Sequence, residues 1–219
     1  MLPYRDAFLT NNPNEGIAIC GSHVGADAIH VGLFWNYEGE TRVIHFLSGQ
    51  NIPVQEVSDA PFANYFFNPI PDFPADLIPS LSALSELISQ NQLNGFTFRR
   101  VGLLYDGGKF DFQTGAYTGK TPAEKYVNCA VFVIALLRTY DYILLDWDSW
   151  PNANPANRTF LDQWLNNSGI PARERQQYYN MTKEVRGKHV IVCPGTTTKP
   201  SPHMEAQTLA DALINDLSP

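Results

Sequence analysis

The feature that most constrains this chain is its most apolar segment, Glu124–Tyr140, with the sequence EKYVNCAVFVIALLRTY. A helix that is hydrophobic on all sides is buried at the centre of a domain. The uninterrupted apolar run, Cys129–Leu137, has nine residues, whereas a membrane span needs roughly 20. We therefore expect a central helix that other elements enclose, opened by Thr121-Pro122 because proline suits the first helical turn.

The composition fits one domain over residues 1–219 and argues against several kinds of partner. Hydrophobic residues make up 44% of the chain and charged residues 17%, as in ordinary globular proteins. The net charge of -7 repels phosphate backbones, so we expect no nucleic-acid partner. We also expect no integral membrane span. The N-terminus lacks the pattern of a secretory signal, which predicts a cytoplasmic protein as synthesised and leaves signal-independent export open.

Two strand-like runs, Ala28–Trp35 and Thr41–Ser48, flank a turn signal and predict a β-hairpin. Residues 51–80 contain six prolines and predict an irregular excursion. A helix is predicted from Ser80, as a possible N-cap, to Leu93. This mixture predicts an α+β fold, in which helices pack on a small antiparallel sheet.

The C-terminal third predicts a strand, a linker and a helix. The run Lys188–Pro194 is rich in β-branched residues and predicts a strand. A proline- and threonine-rich linker follows at 194–202, and Met204–Leu217 is predicted as the last helix.

Cys129 lies in the early part of the central helix. The free N–H groups and the dipole of a helix N-terminus favour a thiolate and lower the pKa of a thiol placed there. A free cysteine in an apolar helix is, however, more often a buried structural residue. The position of Cys129 alone leaves both interpretations open.

His30 and His45 lie within the two strands of the predicted hairpin, and its turn decides whether they meet. A two-residue turn at Tyr37-Glu38 places them directly opposite each other. A turn at Glu38-Gly39 leaves them diagonal on one face, and a three-residue loop at 38–40 puts them on opposite faces. In the first two registers, one histidine could be a base and the other its orienting partner.

The motif HVGLF, followed by VIHF and later by NCAVFV, resembles the NlpC/P60 superfamily of papain-like cysteine hydrolases. The histidine strand precedes the cysteine helix, which is similar to the circularly permuted branch of lecithin retinol acyltransferase-like and bacterial YaeF/YiiX-like proteins. Asn128–Val133 fits the Asn-Cys-x-x-Phe-Val pattern of that branch. The resemblance covers residues 28–48 and 124–138. Acyltransferase members commonly have histidine where this chain has Val131, which puts lipid acyl transfer in doubt.

The resemblance implies a permuted papain-like fold in which Cys129 is the nucleophile, His30 the general base and His45 the orienting residue. It implies a cysteine peptidase or amidase that forms an acyl-enzyme on a peptide, isopeptide or acyl substrate. A lipid acyltransferase or thioesterase of the same fold is one alternative. A non-catalytic binding module that kept the fold is another. The oligomeric state stays open.

Other candidate residues predict weaker sites. His189, on the predicted strand after Cys129, could replace His30 as the base in the unpermuted order. Cys20 and Cys193 are expected to be structural. The two carboxylates and two tryptophans of DWDSW, at 146–150, match the composition of a carbohydrate site without fixing its geometry. With no Cys-x-x-Cys pair, phosphate loop or His-Glu-x-x-His motif, no cofactor and no metal are expected.

Overall fold

The computed structural model describes residues 1–11, 16–25, 28–47, 52–91, 97–98, 107–119, 126–152, 162, 166, 172–175, 183 and 185–217. The helices are α1 Arg5–Asn11, α2 Ile78–Asn91, α3 Cys129–Thr139, α4 Gly187–Val192 and α5 His203–Leu217. The strands are β1 Ile17–Gly25, β2 Ala28–Tyr37, β3 Glu40–His45, β4 Val54–Glu56, β5 Phe66–Pro69, β6 Thr97–Phe98, β7 Lys109–Phe110, β8 Tyr117–Thr118 and β9 Tyr126–Val127. Short 3-10 helices lie at Ala60–Asn64, Ala75–Leu77, Trp147–Ser149, Ala172–Glu174 and Cys193–Gly195.

Five strands form one antiparallel sheet in the order β4-β3-β2-β1-β5, which confirms the α+β class. The predicted hairpin is confirmed as β2 and β3, and β2 is the central strand. The expectation of an irregular excursion at 51–80 is wrong in part, because β4 and β5 both lie there and form the two edges of the sheet. Short strands at the edge of a sheet tolerate the flanking prolines that suggested a loop. Among the described residues, the outer side of β5 pairs only briefly, through a bridge between Phe66 and Tyr4.

The two faces of the sheet carry different layers. Val31, Leu33 and Trp35 of β2 are buried on one face together with the apolar residues of α3 and α4, and we call this side the helix face. The alternate residues of β2 point to the other side, where Phe34 packs with Phe62, Tyr65 and other members of a smaller aromatic cluster. We call that side the aromatic face.

Helix α3 begins later than the sequence predicts. Residues 121–125 lie outside the described residues, but Tyr126–Val127 pair with β6 as a strand, so the helix does not run through them. Asn128 is the N-cap, and its side-chain oxygen accepts the backbone N–H of Val131 at 2.9 Å. Asparagine is among the best N-cap residues because its side chain satisfies a free N–H of the first turn. Cys129 is therefore the first residue of the helix.

The strand predicted at Lys188–Pro194 is wrong, because these residues form α4 and the 3-10 turn after it. Short apolar runs have the same appearance in buried helices and strands. Gly187, the first residue of α4, lies so close to β2 that a side chain there would collide with the carbonyl oxygen of Ile29. The helix therefore lies directly on β2. The expected linker at 194–202 is more ordered than predicted, since Ser201 is fully buried.

The other two helices predicted from the sequence are both present, as α2 and α5. Helix α2 begins at Ile78, so Ser80 lies in its first turn and is not the N-cap. The C-terminal helix is confirmed as α5. Among the described residues, no helix has the length and apolar character needed to cross a membrane.

Candidate active site

The hairpin places His30 and His45 on the same face. Its turn is Glu38-Gly39, both with positive φ (54° and 82°), and Gly32 pairs with His45. This is the second of the three registers, in which the histidines are diagonal neighbours. Gly32 permits the close approach, because a side chain there would begin 2.8 Å from the Cβ atom of His45.

The two imidazoles are joined directly. Nε2 of His30 lies 3.1 Å from Nδ1 of His45. Nε2 of His45 in turn lies 2.7 Å from Oε1 of Gln55, on the edge strand β4. Sequence reasoning missed Gln55 because it treated residues 51–80 as irregular. The alternation of β4 would have placed Gln55 on the same face, had that strand been recognised.

Aromatic rings surround the imidazole pair. Tyr65 meets His30 edge to face at 6.3 Å between ring centroids, and the ring of Phe62 lies 5.4 Å from that of His45. Burial, and to a smaller extent the nearby His45, lower the pKa of His30 to about 4. Burial likewise lowers the pKa of His45, against the hydrogen bond to Gln55. Both imidazoles are therefore neutral at pH 7, the state in which one of them can accept a proton.

The Cys129 thiol lies beside β2 at the point where β3 ends. The backbone N–H of Asn36 donates to the carbonyl of Gly16, the residue before β1, so the odd-numbered residues of β2 direct their backbone groups towards β3. Strand β3 ends at His45, the partner of Gly32, which leaves the backbone of Val31 beyond it. A hydrogen bond with this backbone lowers the pKa of the Cys129 thiol. The thiol therefore adjoins the residue that follows His30.

The net pKa shift of Cys129 differs from the expectation for a thiol at a helix N-terminus. Burial raises its pKa, and hydrogen bonds from the backbone of Val31, Ala130 and Cys129 itself lower it by less. Partial desolvation of this half-buried side chain thus outweighs the helix end. The resting site holds a neutral thiol and neutral imidazoles, not an ion pair.

The structure brings the two histidines together more closely than it brings the thiol to them. Cys129 packs against the core of the helix face, whereas the imidazoles contact the aromatic face. No hydrogen bond joins Cys129 to either imidazole among the described residues. Tyr65 contacts His30, and burial raises the pKa of Tyr65 to about 12 against a hydrogen bond with Ser22.

The remaining sequence candidates lie elsewhere. His189 is buried in α4, and both of its ring nitrogens have other partners: its Nε2 lies 3.0 Å from Oε1 of Gln207, and its Nδ1 accepts the backbone N–H of Arg186 at 3.2 Å. Cys193 is buried and donates to the carbonyl of His189 at 3.0 Å. Cys20 is fully buried in the aromatic cluster on β1.

Comparison of the chain with protein-family models, with curated proteins and with solved structures finds no match. Within the described part of the chain, no cluster of three or more metal-ligating side chains has the geometry to hold a metal ion. The chemistry of the site therefore has to be argued from Cys129, the imidazole pair and the groups around them.

Proposed function

We propose that this protein is a cysteine hydrolase of the peptidase or amidase type, with Cys129 as nucleophile, His30 as general base and His45 as the residue that orients it. The observation that carries the proposal is the chain of hydrogen bonds from Gln55 through His45 to His30. Among the described residues, Nδ1 of His30 is the one ring nitrogen of this pair without a partner. An imidazole held at one nitrogen and open at the other is the form that a general base takes.

The reaction follows from the protonation states. As Sγ of Cys129 attacks a substrate carbonyl, its proton passes to Nδ1 of His30 and a carbon–sulfur bond forms. The C–N bond of an amide, or the C–O or C–S bond of an ester or thioester, then breaks. The leaving group takes the proton from His30. Water, deprotonated by His30, attacks the acyl-enzyme and releases the carboxylic acid and the free thiol.

The first turn of α3 supplies the electrostatic support. Its backbone N–H groups, at Cys129 and Ala130, point to the sulfur, and the N-terminus of a helix of eleven residues favours negative charge. The same donors can stabilise the oxyanion that develops on the attacked carbonyl. Because the resting thiol is protonated, proton transfer to His30 has to accompany the attack.

A non-catalytic binding module is the second candidate, and one observation favours it. Burial raises the pKa of Cys129, as expected of an unreactive structural thiol. The hydrogen-bonded chain from His30 through His45 to Gln55 favours the enzymatic proposal, since a histidine with a purely structural role does not need a series of oriented partners. Transfer to a lipid acceptor remains a variant of the enzymatic proposal, differing only in whether water or an alcohol or amine receives the acyl group.

Trapping the acyl-enzyme tests the proposal. The protein is incubated with an activated acyl ester, quenched in acid and mapped by mass spectrometry. We expect an acyl adduct on the peptide that contains Cys129, and a loss of the adduct in His30→Gln but not in His189→Gln. An adduct on no cysteine, with the fold intact, would favour the binding module. A peptidoglycan digest compared with a phospholipid assay then distinguishes peptide hydrolysis from acyl transfer.

A further inference from the structure

Gln55 is the far end of the hydrogen-bond chain, and its chemistry sets the direction in which that chain runs. Its Oε1 atom lies 2.7 Å from Nε2 of His45. A carbonyl oxygen can only accept a hydrogen bond, so Nε2 of His45 must carry the proton. A neutral imidazole has one N–H, which leaves Nδ1 of His45 as an acceptor.

The second link follows from the first. Nδ1 of His45, as an acceptor, requires a donor at the neighbouring Nε2 of His30, 3.1 Å away. His30 then also carries its single proton on Nε2, and its Nδ1 has a free lone pair. If the amide of Gln55 presented its NH2 group instead, both imidazoles would reverse, and His30 would present an N–H at Nδ1. That tautomer cannot accept a proton from a thiol.

Strand β4 holds Gln55 in place for this role. Gln55 pairs with Val43 of β3, two residues before His45 on the same strand. Its neighbour Glu56 is directed to Arg42, with Oε1 3.0 Å from Nη2 of that residue. Alternation along β4 therefore separates a residue that contacts the imidazole chain from one that forms a surface ion pair.

We propose that Gln55 is a positioning residue that fixes both imidazoles as Nε2–H tautomers and so leaves Nδ1 of His30 free to act as the base. The role rests on the proposed function only for its catalytic consequence, since the tautomers themselves can be observed in the resting protein. Among the described residues, the ionisable groups nearest the pair are Tyr65 and, on β1, Cys20, and burial raises the pKa of both. Neither supplies a charge at pH 7 that competes with Gln55.

Nitrogen-15 NMR tests the tautomers directly. Long-range proton–nitrogen correlations distinguish protonated from unprotonated ring nitrogens, and five histidines keep the spectrum assignable with His30→Gln and His45→Gln. At pH 7 we expect Nε2 protonated and Nδ1 unprotonated in both residues. In Gln55→Met, which keeps the length of the side chain and removes the acceptor, we expect His45 to become a mixture of tautomers.

Measurements of kcat, KM and the pH–rate profile distinguish a positioning role of Gln55 from a purely structural one. Gln55→Met should lower kcat on the order of 10- to 100-fold with little change in KM, as loss of an outer partner of a functional imidazole does. Gln55→Glu keeps an acceptor and adds a negative charge, so it should keep the tautomers. The added charge should raise the pKa of the imidazole pair, so the acid limb of the pH–rate profile should move to higher pH by about 1 unit or more. Glu56→Gln is the matched control and should change neither tautomer nor profile.

Two outcomes overturn the inference: a protonated Nδ1 on His30 in the unmodified protein, or wild-type tautomers retained in Gln55→Met. The proposed function fails on a different result. If Cys129 forms no acyl-enzyme while the tautomers are as stated, Gln55 still positions the imidazoles and the enzyme proposal is rejected.

Discussion

Two candidate cysteine–histidine pairs of the described residues, Cys129 with His30 and Cys193 with His189, differ in how the nitrogens of the imidazole are hydrogen-bonded. Burial lowers the pKa of His189 to about 4, as it does for His30. Both ring nitrogens of His189 are occupied, by Gln207 and by the backbone of Arg186. His30 is held at Nε2 alone. A shared pKa direction therefore does not identify a base, whereas a ring nitrogen that has no hydrogen-bond partner among the described residues makes His30 the better candidate.

The thiols differ in the same way. Cys193 is buried and donates its proton to the carbonyl of His189. Cys129 is half-buried at the first position of α3, where backbone N–H groups point to its sulfur. The first thiol is a donor within a packed core, whereas the second is neutral at rest and has backbone N–H groups beside it that can stabilise a thiolate formed during attack.

Removal of the two thiols should separate activity from stability. Cys129→Ala is expected to reduce hydrolysis by at least about 1,000-fold, because the proposed nucleophile is lost. Cys193→Ala should leave the rate unchanged and cost on the order of 1 kcal/mol of unfolding free energy, through one lost hydrogen bond. The comparison needs initial rates and urea unfolding on both variants. Equal rates in the two would remove the functional distinction between the thiols.

The two histidines give the next largest contrast. His30→Gln should lower kcat about 100- to 10,000-fold, the usual contribution of a general base. His189→Gln should retain the rate and lose about 1–3 kcal/mol of stability, because it leaves buried partners unsatisfied. The same rate measurements and unfolding curves serve. A large loss of activity in folded His189→Gln, with His30→Gln unaffected, would support the unpermuted order instead.

The acid dependence of stability should be shared by both histidines. Each has a folded-state pKa of about 4, below its unfolded value of about 6.5. The unfolded chain therefore binds protons that the folded chain does not, so stability is complete above about pH 6.5 and falls as the pH drops towards 4. The slope should be about 1.4 kcal/mol per pH unit for each histidine. Urea unfolding at pH 7, 6 and 5 measures this slope, and the unfolding free energy of His189→Gln should fall less steeply with decreasing pH than that of the wild type.

The smallest predicted effect concerns the cap of α3. Asn128→Ala removes the acceptor for the N–H of Val131 and should cost about 1 kcal/mol of unfolding free energy. Asn128→Asp keeps an acceptor and should cost less. Thermal or urea unfolding of the two variants decides this. Equal losses in both would show that the cap oxygen contributes nothing to the start of the helix.

The sequence predicted the parts of the site that depend on strong local patterns. Two strand-like runs around a turn predicted the hairpin, and the apolar helix predicted that Cys129 lies near a helix N-terminus. The register was left at three choices, because Glu38-Gly39 takes positive φ at a residue other than the usual asparagine or aspartate. The helical form of Lys188–Val192 was missed because its β-branched residues fit a buried strand equally well.

Gln55 could not be found from local pattern. Its strand has three residues, follows a proline and lies at the sheet edge, where the pairing partner rather than propensity decides the conformation. The sequence also did not predict that Cys129 packs on the helix face while the two imidazoles contact the aromatic face. Strand alternation predicts which face a histidine occupies, but the face on which a helix packs depends on tertiary contacts.

If the thiol of Cys129 and the imidazole of His30 act together, the rate at which Cys129 is alkylated depends on His30. Labelling with iodoacetamide at pH 7, followed by peptide mapping, gives a rate for each cysteine in the wild type, in His30→Gln and in His189→Gln. We expect His30→Gln to slow the labelling of Cys129 at least about 10-fold, since an imidazole base assists thiolate formation, and His189→Gln to leave the rate unchanged. The same Cys129 rate in all three folded proteins would show that His30 does not act on this thiol.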